Sequence, residues 1–253
     1  MKFERAYILQ KGDRKFGREE VLVRESCERA GIEVVPYLAK QMQRRQLRLT
    51  GESFICGDMD TMGGAMKQLG IEVPVPNDFP ESLAPFLERR VWRGSLGGLG
   101  AMLEGGCEVF AKPAGRRKVF TGRVFSSPSD LYFVSGVSRN EPVWFSEVVD
   151  WLSEFRVYVI HGEIVAVVHY GGDAAVAVSE PALVRAIASF TASGEAPAAY
   201  GIDFGVLRSG ATALVEANDG YALGAYEGIG ADDYTRLLFT RWSELLHGAT
   251  QVE

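Results

Sequence analysis

Lysine is scarce in this chain, and histidine and cysteine are scarcer still: seven lysines stand against twenty arginines, with three histidines and three cysteines in 253 residues. Each shortage excludes something. Cys27, Cys56 and Cys107 are odd in number and far apart, and His161, His169 and His247 lack the spacing of zinc ligands, so neither a disulfide framework nor a structural zinc is expected. No apolar run approaches the roughly 20 residues of a membrane-spanning helix. The opening MKFERAYILQKGDRKFGREE also carries charges where a secretory signal has its apolar stretch, so a cytoplasmic protein is expected. A formal net charge of -6 argues against nucleic acid or an anionic membrane as the main partner, because clustered cations drive both kinds of binding.

What is present is an ordinary globular composition, 47% apolar and 24% charged, enough for one large domain or two small ones. The first part alternates strand and helix patterns. RAYILQ reads as a strand, residues 18 to 30 as a helix stopped by Gly31, and IEVVPYL as the next strand. ESFICGDMDTMGGAMKQLGIEVP repeats the arrangement, with a helix at 62 to 69 and a short strand after it, which predicts a small α/β domain. The following FPESLAPFLERRVWRGSLGGLGAMLEGG looks helical and connecting. From Cys107 the texture turns to strands, at 107–112, 119–125, 131–136, 143–149, 155–161 and 164–170, the last two forming a hairpin at His161–Gly162. A helix near 180–194, the strands AYGIDFGVLR and TALVEAN, and a final helix from Asp232 complete an α+β, mostly antiparallel region. Trp144, Trp151 and Trp242 are expected in the core.

Chemistry gathers on the strand ends. Asp203 lies in one strand, and Glu216 and Asn218 in the next, where period-2 alternation displays them together with Val215 and Ala217 turned inward. Such hard oxygen donors suit Mg²⁺, and the same letters suit solvated acids beside an Asx turn. Lys112 stands at a strand end before Pro113, and PAGRRKVFTG after it combines glycines, arginines and Lys118. That loop fits either phosphate-covering amides and point charges or a basic surface hairpin. Glu154, Arg156 and Tyr158 share one strand face, which fits a plain salt bridge, as most such pairs are, or a site for ribose hydroxyls and an oxyanion. His169 is the one strand histidine that could face a substrate, with a structural role as the alternative.

The order of these pieces carries a resemblance. A strand-end lysine with a Gly/basic hairpin, the connector EVV, then EFRVYV, GIDFG and LVEAND resembles the nucleotide-binding half of the ATP-grasp superfamily over about residues 107–228. It is similar in particular to the small clade marked by one arginine and two lysines. The resemblance implies an ATP-grasp fold, with residues 1–90 as a pre-ATP-grasp-like α/β domain and 91–253 as the nucleotide-binding region. It implies ATP and Mg²⁺ as cofactors, with Lys112 and Lys118 on phosphates, and Glu147, Val148 and Val149 along the adenine. Glu154 would meet the ribose, and Asp203, Glu216 and Asn218 would hold metal. Arg156 would lie beside the γ-phosphate and an acceptor carboxylate, and Arg156 and Lys118 are the catalytic candidates. The implied reaction joins a small-molecule or peptide carboxylate to an amine through an acyl phosphate, with phosphotransfer and ATP binding without turnover as the alternatives. Many members carry another phosphate lysine upstream. Residues 68–111 contain none, which leaves Arg90 or Arg93 to substitute.

Overall fold

The structure is a computed structural model that describes residues 3–115 and 119–250. Its first sheet is parallel. β1 (Arg5–Gln10) lies between β2 (Glu33–Leu38) and β3 (Ser53–Cys56), with Tyr7 in register with both Val35 and Ile55. α1 (Arg18–Arg29) makes the first crossover and ends where Gly31 takes φ 70, a left-handed stop that a side chain would strain. A short α2 (Ala39–Gln43) follows β2, and α3 (Met59–Gln68) follows β3 from an Asp58 cap whose carboxylate accepts from Thr61 N at 2.9 Å. The short strand expected after α3 does not form. Pro74 and Pro76 lack the N–H groups that a ladder needs.

Two antiparallel sheets make up most of the rest. The larger has the order β11 (Thr212–Asp219), β10 (Ala199–Leu207), β8 (Trp151–Ile160), β9 (Glu163–Gly172). The smaller has the order β4 (Val91–Ser95), β7 (Pro142–Ser146), β5 (Val109–Pro113), β6 (Arg123–Phe125). β8 and β9 turn tightly through His161 (φ 50) and Gly162 (φ 78), the doubly left-handed pair that matches strand twist. α5 (Glu180–Ser193) covers one face of the larger sheet, burying Leu183, Ala186 and Ile187 against Val157, Ile202, Phe204 and Leu214. α4 (Leu99–Glu104) covers the outer face of the smaller sheet through Leu99 and Leu103. α6 (Ala231–Thr250) packs on the first sheet, where fully buried Trp242 donates from Nε1 to Ser53 O at 2.9 Å.

Three expectations are corrected. VWRGS, expected in a helical connector, is β4, paired from Val91↔Ser146 to Ser95↔Pro142, and helix is confined to α4 and short 3₁₀ turns. The glycines and prolines of this stretch disfavour a long helix, and β7 supplies a ladder. Residues 131–136, expected as strand, fall in and beyond a 3₁₀ helix over Pro128–Val134. Asp130 caps it by accepting from Ser126 N (2.8 Å) and Ser127 N (3.0 Å), so capping chemistry overrides the β preference of LYFV. The strand expected over 119–125 is only three residues long.

The cysteines give a first prediction. Cys27 and Cys56 are buried and Cys107 is exposed. Burial pushes the Cys27 thiol up to about 12 and the Cys56 thiol well above its usual range, so both stay protonated and unreactive at mildly alkaline pH. A chromogenic disulfide reagent should titrate one thiol per native chain and three in denaturant. Rapid reaction of two or more native thiols would contradict this burial.

Candidate active site

The larger sheet builds its chemistry where glycines clear space. On β10, Gly201 and Gly205 flank Asp203 on one face, and the side chains of Leu223 and Trp151 lie where Cβ atoms would be. Asp203 is thereby the one side chain that Gly201–Gly205 of β10 presents to that face. Register places it opposite Arg156 of β8 and Glu216 of β11. The Arg156 fork donates to Asp203 from Nε (2.7 Å) and Nη2 (2.6 Å), with both side chains less than a tenth exposed. Burial pushes the Asp203 carboxyl up to about 6 against the pull of that guanidinium. Burial alone would lower Arg156, but the Asp203 contacts outweigh it and raise its pKa.

Glu216 reaches this face through a β-bulge. Asp203 pairs with Glu216, yet Phe204 pairs with Leu214, which leaves Val215 as an extra residue. Leu214 and Ala217 both enter the apolar layer beneath α5. Strict alternation would put Glu216 on the same side as Leu214; the bulge turns it over. The inward pair is therefore Leu214 and Ala217, in place of the expected Val215 and Ala217. Asn218 lies opposite Gly201 and donates from Nδ2 to Glu216 Oε1 at 3.2 Å. Asp203, Glu216 and Asn218 thus come together on one face of the sheet.

The smaller sheet meets this face with cations. Lys112 of β5 stands in register with Trp144, and Trp144 with Arg93, so the three share one face. Arg93 stacks on Trp144 at 5.0 Å, while Arg90 lies over Trp92, which packs with the apolar cluster on the other face. Of the two candidates for the missing upstream lysine, only Arg93 shares the face of Lys112. Lys112 Nζ bonds to Glu216 and, at 2.8 Å, to Asp78, tying the two sheets and the residue 78 segment together. Burial would raise Glu216 and lower Lys112. Their mutual attraction, helped by Asp78 and Asn218, reverses both shifts. Lys112 and Glu216 thus neutralise each other.

Among the described residues no group of three or more His, Cys, Asp or Glu is arranged to hold a metal. Two carboxylates and an amide are nevertheless a fitting donor set for Mg²⁺, which keeps waters and takes its remaining oxygens from substrate phosphates. The connector 147–150 between β7 and β8 holds the other candidates. Glu147 is exposed and pairs with Arg90, its N donating to Arg90 O (3.0 Å) and its Oε2 accepting from Arg90 N (2.9 Å); Val148 and Val149 are half-buried. Glu154 shares the Arg156 face and accepts from Tyr170 OH at 3.1 Å. Lys118 lies outside the described residues. His169 faces away, opposite Phe155, with its ring edge-on at 5.1 Å and a buried Nε2 that has no partner, which leaves it structural. Trp144 and Trp151, expected in the core, are half-buried and line the cleft.

Several participants were not foreseen. Asp78 and Arg89 lie in segments without periodicity. Tyr226 stacks on Tyr170 (4.5 Å, 12°) and lies 4.9 Å from the Arg156 guanidinium. The loop 220–228 around it is fixed from both sides. Tyr158 OH donates to Gly224 O (3.1 Å) and accepts from Tyr226 N (2.9 Å), Glu19 accepts from Ala225 N (3.1 Å), and Arg18 donates to Tyr226 O (3.3 Å). The first sheet's helix α1 thereby borders Arg156.

Two antiparallel sheets closing on a crossed set of cations and carboxylates define an ATP-grasp domain. Solved structures agree on the fold. The chain is similar to D-alanine–D-alanine ligase from Bacillus anthracis complexed with ATP (TM-score 0.56, 12% identity, 97% of this chain and 99% of that one). It is similar also to N5-carboxyaminoimidazole synthase from Aspergillus clavatus in complex with ADP and 5-aminoimidazole ribonucleotide (0.55, 12%, 93% and 76%). A third likeness is to the D-cycloserine synthetase DcsG (0.53, 11%, 94% and 99%). No curated protein matches the chain in sequence. Residues 86–237 match the family described as ATP-grasp domain, R2K clade family 2, and the chain belongs to that family. No helix among the described residues is long and apolar enough to cross a membrane.

Proposed function

We propose that the protein is an ATP-dependent ligase that joins a carboxylate to an amine through an acyl phosphate. One observation carries the reading: Lys112 on the smaller sheet and Asp203, Glu216 and Asn218 on the larger one converge on one point of the cleft, already paired in charge. Asp203, Glu216 and Asn218 would hold Mg²⁺, which supplies charge neutralisation to the transferring phosphoryl group when bound. Lys112 and Arg93 stand on the face that would meet the phosphates, and Lys118, between β5 and β6 in sequence, would contact them as well. The connector Glu147, Val148 and Val149 would run along the base, and Glu154 would accept from the ribose.

In the first step a carboxylate oxygen of the substrate attacks the γ-phosphorus and the bond to the β-phosphate oxygen breaks, giving ADP and an acyl phosphate. In the second, an amine attacks the acyl carbon and phosphate leaves, with the amine proton passing to solvent or phosphate. Arg156 supplies a fixed, permanently charged fork beside the point where oxygen gains negative charge in both steps. The loop 220–228, held by Arg18, Glu19 and Tyr158, forms the acceptor side.

The test incubates the protein with Mg²⁺, ATP and pooled amino acids and peptides, and searches by mass spectrometry for a condensation product lighter by one water. ADP and free phosphate should appear only when both carboxylate and amine are present. Finding only phosphorylated species would replace the ligase with a phosphotransferase.

A further inference from the structure

The bulge that turns Glu216 into the cleft is held by a side chain from outside both sheets' ladders. Arg89 precedes β4 and spends its guanidinium on four acceptors. Nη1 donates to Leu214 O (2.6 Å) and Leu87 O (3.0 Å), Nη2 to Val215 O (3.2 Å), and Nε to Ser146 Oγ (2.9 Å). Its face lies over Trp151 at 5.0 Å. Leu214 and Val215 are the bulged residues, and Glu216 follows them. Ser146 ends β7 and Trp151 begins β8, so the same guanidinium grips both ends of the connector that joins the sheets.

We propose that Arg89 is a positioning residue for the metal-binding carboxylate: it pins the β11 bulge at Val215, and so fixes Glu216 on the face of Asp203. This rests on the reading of Glu216 as a Mg²⁺ ligand. A bulge is one surplus residue, and a surplus residue can migrate along a strand unless something holds it in register. Moved one place onward, it would return Glu216 to the side of Leu214, where an apolar layer packs under α5 and a carboxylate has no partner. Arg89 holds the register because its planar fork caps the two carbonyls that the surplus residue displaces. Lysine has a single ammonium and cannot span both while stacking on Trp151. The Ser146 contact in turn fixes the guanidinium itself to the end of β7.

The experiment compares wild type with Arg89→Lys and Arg89→Gln. ADP binding is measured calorimetrically in EDTA and across a Mg²⁺ titration, with circular dichroism melts in EDTA as the fold control. Both variants are expected to fold and to bind ADP in EDTA within about twofold of wild type. Both should need about tenfold more Mg²⁺ for half-maximal tightening, the scale of losing a residue that orients a ligand. In a Glu216→Gln background the Arg89 substitutions should add nothing to the Mg²⁺ requirement. An unchanged Mg²⁺ requirement, an equal loss of ADP affinity in EDTA, or failure of both variants to fold would overturn the positioning role. Wild type showing no Mg²⁺-dependent ADP binding would instead remove the metal-site reading itself, and this inference with it.

Discussion

Lys112→Met should lower nucleotide-dependent turnover by about 10²–10³ and make stability rise more steeply as pH falls from neutral. Loss of one cation aimed at a developing phosphoryl charge costs about 10²–10³ in rate. The stability effect follows from the unliganded geometry. Lys112 Nζ lies between Asp78 and Glu216, with the three side chains 17 to 26% exposed. Removing it leaves two carboxylates converging on an empty point, and breaking such a buried arrangement costs at most about 3–5 kcal/mol. In wild type, Lys112 overcomes burial and holds Glu216 below the usual carboxylate range. Its contribution is therefore present above the unfolded-state pKa and is lost as pH falls through the lowered folded value. In the variant burial, no longer offset by Lys112, raises the Glu216 carboxyl above its unfolded value, so protonation relieves the folded state. Melting midpoints of Lys112→Met should climb more steeply than those of wild type between about pH 7 and about pH 5, beyond the rise that the Asp203 carboxyl gives both proteins. Midpoints that track wild type across that range would show that Lys112 does not neutralise this pair.

The parts of this site legible in the sequence are those that strand alternation controls. Glu154, Arg156 and Tyr158 lie two apart on an extended run, and Asp203 sits between Gly201 and Gly205, so residue spacing alone put them on common faces. The His161–Gly162 turn and the Gly31 stop were readable because glycine at a left-handed position leaves a local mark. The bulge was not readable. LVEAN alternates as well without a surplus residue as with one, and only the pairing with β10 shows that Leu214 and Ala217 both face inward. β4 was hidden because its partner lies some fifty residues onward, while the leucines and methionines of the same stretch repeat at helical spacing. Asp78 and Arg89 belong to irregular chain, where no period exists to predict direction, and their roles come from tertiary contacts alone. Tyr226 lies in an irregular loop too, and its stacking on Tyr170 and Arg156 depends on that loop being pinned by α1.

Arg156→Lys should separate charge from geometry at the centre of the cleft. Lysine keeps the positive charge, so nucleotide affinity should fall by less than about tenfold, as for a single weakened charge contact. It cannot reproduce two parallel bonds to Asp203 or lie flat against Tyr226, and both are features of the planar fork. A flexible ammonium in place of a preorganised guanidinium should lower turnover by about 10²–10³. Arg156→Ala is the harsher change. Asp203, whose carboxyl burial already pushes up to about 6, would lose its counter-charge and take up a proton at neutral pH. That variant should lose Mg²⁺ binding as well as turnover, and melt lower by the equivalent of about 3–5 kcal/mol for a broken buried pair. Asp203→Asn removes the carboxyl whose forced protonation carries that cost in the Arg156→Ala background, and should recover most of the melting midpoint without recovering any turnover. The pattern to look for is therefore stability that follows the pairing of Arg156 with Asp203, and rate that follows the guanidinium itself. If Arg156→Lys turns over at the wild-type rate, the arginine serves only to neutralise Asp203, and stabilisation of the reacting oxygen must come from elsewhere in the cleft.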